Sequence, residues 1–388
     1  MKHTPLNTLL LALVLAGCAG DDPHHAARQQ SQERADAMAS SGYRAEQDHA
    51  LTVALQQWVV SAQVQPVALA FPVTGAKLPL VVYVPGLGES AQGGSRWRDT
   101  WARAGYAVLS VQPLAFDAMA WQSDLARDAN FKGLARAHRA PELQAQRSER
   151  LAAVLAEARR RGAAGDSLWS RVDFDTVVMA GYDIGSLTAA EFASGGVKAL
   201  MLLSPMPLDM AVSAQLTQPV LMIGSRRDDD LIGLVATPAD RTAGFTALPP
   251  GRKQMLLLED ASHALLSGAA GQEDATDGAT AVAAPQGGRS ARGSGGGGAA
   301  GGAGGGGGRH GSGGGGAGGG QGMGGAQGRG HEAARGNFDS GGRTQAQAIA
   351  TVSTAFLDAE VRGSRSAREW LDHEAAPWLR SVGQWQQR

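Results

Sequence analysis

The sequence predicts an α/β fold, a mostly parallel central sheet with helices on both faces. Three observations carry that expectation. Short apolar runs of strand length, such as Leu80-Val81-Val82-Tyr83-Val84 and Leu200-Met201-Leu202-Leu203, alternate along the chain with longer segments of helical periodicity, the pattern of strands joined by crossover helices. These runs are continuously apolar, as in strands covered on both faces. The clearest run, Val177-Val178-Met179-Ala180, enters Gly181-Tyr182-Asp183-Ile184-Gly185 and leaves into the Ala-rich Ser186-Leu187-Thr188-Ala189-Ala190. That is a strand, a sharp turn and a helix, with glycines placed so that the two elements can close on each other.

Composition bounds the rest. Of 388 residues, 55 are glycine and most of these fall late in the chain, so the foldable length reads as one domain over residues 45–388. A net charge of −1 and no basic stripe give no electrostatic reason to expect nucleic acid as a partner. At the amino end, Met1-Lys2-His3 precedes an apolar core from Leu9 to Leu15 that closes in Leu15-Ala16-Gly17-Cys18. The run is too short to span a bilayer and reads as a cleaved export signal over residues 1–17. Its end resembles the lipobox of bacterial lipoproteins. The resemblance implies that Cys18 becomes a lipidated amino terminus anchored in a membrane of the bacterial envelope. Ala19, where an Asp would favour retention at the inner membrane, implies the periplasmic face of the outer membrane. Cys18 is the sole cysteine, which excludes a disulfide within the chain and a cysteine nucleophile. Residues 18–44 are polar and read as a flexible tether; His24 and His25 beside Asp21 and Asp22 read as part of it, and no metal or other cofactor is expected.

Taken in order, residues 45–62 place Leu51, Ala54, Leu55, Trp58 and Val59 at near-helical spacing and predict an amphipathic helix. Residues 64–73 and 78–84 predict strands. The second empties into Pro85-Gly86-Leu87-Gly88-Glu89-Ser90, a loop whose backbone N–H groups can face an anion. Residues 97–104 predict a helix stopped by Gly105, and 106–113 a strand. A longer insertion over residues 115–171 holds Phe116, Met119, Trp121, Phe131 and His138, candidates for a lid, before a strongly helical stretch at 142–161. Arg159, Arg160 and Arg161 close that helix, where positive charge suits the dipole. Strands follow at 199–205, 219–224 and 254–259, the last two leading to Asp228-Asp229-Asp230 and to Ala261-Ser262-His263. Functional residues of parallel sheets gather at such carboxyl ends. Residues 268–343 are too glycine-rich to bury a core and predict a disordered insertion, after which Ile349, Val352, Phe356, Leu357, Trp370 and Leu371 predict helices that return to the sheet.

The order of Asp183 in the turn, Asp228 after a later strand and His263 near the last one resembles the α/β-hydrolase superfamily, over residues 64–266 and 344–379. Together with the Pro-Gly-Leu-Gly loop it looks most like the dienelactone hydrolases and acetylhydrolase-type esterases. The resemblance puts Asp183 at the nucleophile position, His263 as general base and Asp228 as the acid that orients it, with Asp229 and Asp230 open for the last role. It makes the Leu87 and Ile184 backbone N–H groups the oxyanion donors and implies a small-molecule substrate. The departure is Asp183, where these families carry Ser or Cys. A carboxylate attacking an ester carbonyl gives a reactive anhydride; carboxylates suit displacement at saturated carbon. Haloalkane dehalogenases and epoxide hydrolases carry an elbow Asp, but follow it with Trp where this chain has Ile184, and no lid tyrosine lies between residues 114 and 171. Three functions stay open: an esterase-type hydrolase with an atypical Asp, a catalytically silent protein that binds a ligand or envelope partner, and a dehalogenase or epoxide hydrolase acting through an ester on Asp183.

Overall fold

The computed structural model describes residues 23–230, 232–269 and 328–388, with side chains described from residue 28 and, in the last segment, from residue 342. The expected export signal, Cys18 and residues 270–327 of the Gly-rich segment lie outside the described residues. Among the described residues, nine strands form one sheet: β1 Leu51–Val60, β2 Gln63–Pro72, β3 Leu78–Val84, β4 Ala107–Ser110, β5 Val172–Tyr182, β6 Ala199–Leu203, β7 Val220–Ser225, β8 Lys253–Leu258 and β9 Gly383–Gln387. Their spatial order is β1-β2-β4-β3-β5-β6-β7-β8-β9. From β4 to β8 every pairing is parallel, while β1, β2 and β9 add antiparallel strands at the two sides.

The helices are α1 Pro23–Ser41, α2 Ser95–Arg103, α3 Ala115–Ala118, α4 Asp124–Arg127, α5 Phe131–His138, α6 Pro141–Ala163, α7 Ile184–Ser194, α8 Met210–Gln215, α9 Pro238–Ala243, α10 His263–Leu266, α11 Gly328–Glu360, α12 Arg365–Glu369 and α13 Ala375–Leu379. They cover both faces because strand side chains alternate. Val81 and Tyr83 of β3 turn to one face with Trp97 and Trp101 of α2 and Val352 and Phe356 of α11. Leu80, Val82 and Val84 turn to the other with Leu151 and Val154 of α6 and Ala189 and Ala190 of α7. Every residue of β4, β6 and β7 is buried, which is why their sequences read as unbroken apolar runs. Among the described residues no helix is long and apolar enough to cross a membrane.

Two expectations are corrected. Residues 51–60 form β1, where the spacing predicts a helix. Trp58 and Val60 are buried while Val53, Leu55 and Val59 stand exposed, so apolar residues on the solvent face mask the alternation of a strand. Ser61 and Ala62, at φ 48° and 60°, make the two-residue turn into β2, a conformation usually supplied by Gly or Asn. Within the tether, Pro23–Ser41 is helical as α1. Ser31, Ala35 and Met38 are its buried stripe, and it packs on α11, from the far end of the chain. The strand β9, Gly383–Gln387, lies beyond the helices expected from the apolar residues at 349–371.

Candidate active site

The centre is assembled at the carboxyl ends of β3, β5, β6, β7 and β8. Asp183 stands between β5 and α7 with φ 49° and ψ −124°, outside the ordinary regions for an L-residue. The flanking glycines make that turn possible. A Cβ on Gly185 would collide with the carbonyl oxygens of Val84 and Pro85, and one on Gly181 with Gly185 and Ala189. The first turn of α7 is thereby pressed against the loop after β3, and a Cβ on Gly86 would come within 3.2 Å of Asp183 Cβ. Leu87 and Ile184 are both buried and share an apolar cluster with Ala120, Leu134, Met206 and Leu234. Among the described residues neither of their N–H groups donates a loop hydrogen bond.

Asp183, Asp228 and His263 converge. His263 Nδ1 lies 2.7 Å from Asp228 Oδ1, and His263 Nε2 lies 4.0 Å from Asp183 Oδ1. With Nδ1–H given to Asp228, the neutral ring presents Nε2 to Asp183. Asp228 is 1% exposed, Asp229 is exposed on the surface and Asp230 points elsewhere, its carboxylate accepting the N–H groups of Ile232 and Val235 at 3.0 and 2.7 Å. Of the three, Asp228 is the one that reaches the imidazole. Burial acts to lower the His263 pKa, but the hydrogen bond to Asp228 and the charges of Asp183 and Asp228 outweigh it, and the result is raised.

Four neighbours escape sequence reasoning. Arg241 of α9 is fully buried; its Nη1 donates to Asp183 Oδ1 at 3.1 Å and to Ser204 O at 2.9 Å. Ser204 Oγ, at the end of β6, donates to Asp228 Oδ1 at 3.0 Å and lies 3.0 Å from His263 Nδ1. Tyr182 Oη donates to His263 O at 2.9 Å, with the two rings 5.0 Å apart, and so fixes the backbone that carries the imidazole. Glu89 is half-buried and accepts the Gly86 N–H at 2.9 Å. Burial pushes the Glu89 carboxyl up to about 7, Asp183 adding to the rise and the Gly86 N–H and His263 opposing it. The motif Pro-Gly-Leu-Gly-Glu exposes Glu89 to notice, whereas nothing local distinguishes Arg241 from a surface arginine.

The insertion between β4 and β5 lies over this edge. Gly88 N donates to Asp117 O at 2.9 Å, and the Trp121 indole occupies the space a Cβ on Gly88 would need. Of the lid candidates, Phe116, Met119, Trp121 and Phe131 are exposed and His138 is buried. His138 Nδ1 is 2.8 Å from Asp117 Oδ1, Arg147 grips the same carboxylate from Nε and Nη2 at 2.7 and 2.8 Å, and Phe116 stacks on the imidazole at 4.2 Å. Among the described residues no group of His, Cys, Asp and Glu is arranged to hold a metal ion.

No protein-family model matches the chain, and no curated protein matches it.

Proposed function

We propose that this chain is an exported, lipid-anchored member of the α/β-hydrolase superfamily, of the dienelactone hydrolase or esterase type, that hydrolyses a small ester or lactone at Asp183, His263 and Asp228. The Gly-rich segment is, in this reading, an insertion within that fold. The observation that carries the proposal is Asp183 in a strained turn at φ 49° and ψ −124°, facing an imidazole bound at 2.7 Å to Asp228. Strain of this kind is kept where it aims a side chain at chemistry.

The geometry favours attack by water over attack by the carboxylate. Asp183 Oδ1 already accepts from Arg241, and its 4.0 Å separation from His263 Nε2 suits one bridging water better than a direct hydrogen bond. In the proposed reaction His263 Nε2 takes a proton from that water, whose oxygen bonds to the substrate carbonyl carbon. The carbonyl oxygen becomes an oxyanion received by the Leu87 and Ile184 N–H groups. Collapse breaks the bond to the alkoxide, which takes the proton back from His263. Because the His263 pKa is raised, kcat/KM is expected to climb with pH along a limb above the ordinary histidine range.

A second reading, a silent binding protein, is favoured by one observation. Asp183 is only 3% exposed and is held by a buried guanidinium, a state that serves a structural ion pair as well as catalysis. A panel of aryl esters, a lactone, an epoxide and a haloalkane separates the readings. Turnover of the ester or lactone, lowered roughly 100-fold or more by His263→Gln, supports the first; no turnover of any class leaves the second. Single turnover in ¹⁸O-water then fixes the route. Label in the product acid with none in the Asp183 carboxylate is expected for direct attack, and label in Asp183 would instead mean a covalent intermediate on that carboxylate.

A further inference from the structure

Among the described residues, Arg241 is the one cation placed against Asp183, Asp228 and Asp230 together. Besides Asp183, its Nε lies 3.5 Å from Asp228 Oδ1 and its Nη2 3.5 Å from Asp230 Oδ2. Burial acts to lower its pKa, but Asp183 and Asp228 outweigh that and raise it, so the guanidinium stays charged. Like-charged carboxylates at one sheet edge repel strongly in a medium from which water is excluded. The helix that carries Arg241 has little freedom. Thr237 caps it with N and Oγ1 each 2.9 Å from Asp240 Oδ2, Pro238 begins it, and a Cβ on Gly224 of β7 would lie 2.5 Å from Thr242 Cγ2.

A carboxylate on a short side chain can otherwise rotate to present either oxygen. Here one nitrogen, Nη1, is fixed by a backbone carbonyl at Ser204 and binds Asp183 Oδ1 from that fixed point. We propose that Arg241 is a positioning residue of the centre, which turns Asp183 Oδ1 toward His263 Nε2 and supplies the counter-charge that lets Asp183 and Asp228 flank one imidazole. The inference rests on reading Asp183, His263 and Asp228 as the reaction centre. The guanidinium shape matters as much as its charge. A lysine at position 241 can replace the Nη1 contacts but has no atoms for the places of Nε and Nη2, so Arg241→Lys separates orientation of Asp183 from the link to Asp228 and Asp230.

The groups that face His263 are Asp228 after β7, Asp183 at the turn, Arg241 on α9, Ser204 after β6, Tyr182 beneath the ring and Glu89 after β3. Among these Arg241 opposes protonation of the imidazole while both aspartates favour it. The test is an NMR titration of His263, assigned with His263→Gln, in the unaltered chain, Arg241→Lys and Arg241→Met, beside kcat and KM on an ester from the panel. In Arg241→Met the His263 midpoint is expected to rise and kcat to fall roughly tenfold to 100-fold, with KM changed less. Arg241→Lys is expected to recover part of kcat, and carries the test alone if Arg241→Met does not fold. Asp183→Asn with Arg241→Met is expected to lose little more than Asp183→Asn alone, since the residues act as a unit. Turnover by the unaltered chain, with the midpoint and kcat unmoved in the folded variants and only Tm lowered, sinks the role given to Arg241. No turnover by the unaltered chain sinks the reaction centre itself, whatever the titration does.

Discussion

Asp183, Asp228 and His263 are legible in the sequence because each follows soon after the carboxyl end of a strand, and the grammar of a parallel sheet brings strand ends together without any detail of packing. Arg241 is not legible. It follows Thr237-Pro238-Ala239-Asp240, a helix start like many on protein surfaces, and its burial depends on carboxylates supplied by segments 11 to 58 residues away. Two expectations belong at this scale. Gly185→Ala forces a methyl into the carbonyls of Val84 and Pro85 and is expected to destabilise the chain by about 3 kcal/mol. Gly244→Ala, at φ −67° with nothing near the new methyl, is expected to change stability by less than about 1 kcal/mol. Urea unfolding of the two variants checks the pair. The second concerns pH. Since the folded Glu89 carboxyl titrates at about 7 against 4.5 in the ordinary range, the folded state holds its proton longer than the unfolded one. Its contribution is fully present below the lower value and is lost as pH rises through the upper. Glu89→Gln, with the same acceptor for Gly86, is expected to flatten the fall in unfolding free energy across that window, measured by denaturant midpoints at intervals of pH.

At the scale of elements, the central strands and β2 are readable and the outermost strands β1 and β9 are not, for a physical reason. β3, β5, β6, β7 and β8 are covered on both faces, so their composition alone marks them. In β1, one face carries Trp58 and Val60 while the other exposes Val53, Leu55 and Val59, and an apolar residue in water weakens any period. The buried face of this hairpin is nevertheless well defined. Trp58 and Phe71 each meet the Trp169 ring edge-on at 5.3 Å, and all three are buried. Trp169→Ala is therefore expected to cost about 3–5 kcal/mol, read as a lowered denaturation midpoint with no change in KM, because the hairpin lies away from the centre. The insertion is held differently, by the buried Asp117, His138 and Arg147 set. That set reaches the Gly88 N–H through the Asp117 carbonyl, so the insertion and the loop after β3 share one support.

At the scale of the whole molecule, the two ends of the described chain are bound to each other. Tyr43 Oη donates to Asp358 Oδ2 at 2.8 Å, Tyr106 Oη to Asp358 Oδ1 at 2.7 Å, and Trp378 Nε1 to Ser41 Oγ at 3.2 Å. Burial raises the Asp358 pKa, against the pull of Tyr106, Tyr43 and Arg362. Asp358→Ala leaves two phenols without acceptors and is expected to destabilise by about 2–4 kcal/mol, checked by Tm. No local pattern announces such contacts, since α1 shows only Ser31, Ala35 and Met38 as its buried stripe and its partner is α11. That pairing also has a consequence for the order in which the chain is made. A ribosome completes α1 hundreds of residues before any of the described part of α11 exists, so the first described helix lacks its packing surface while strands β1 to β8 are made. The β1–β2 hairpin and the parallel strands can find neighbours as they emerge, whereas α1 waits until the parallel strands have all been made. Any process that keeps the amino end apart from the rest during that interval delays the closing contacts of the fold, and leaves its core uncovered on the α11 side until the tail arrives.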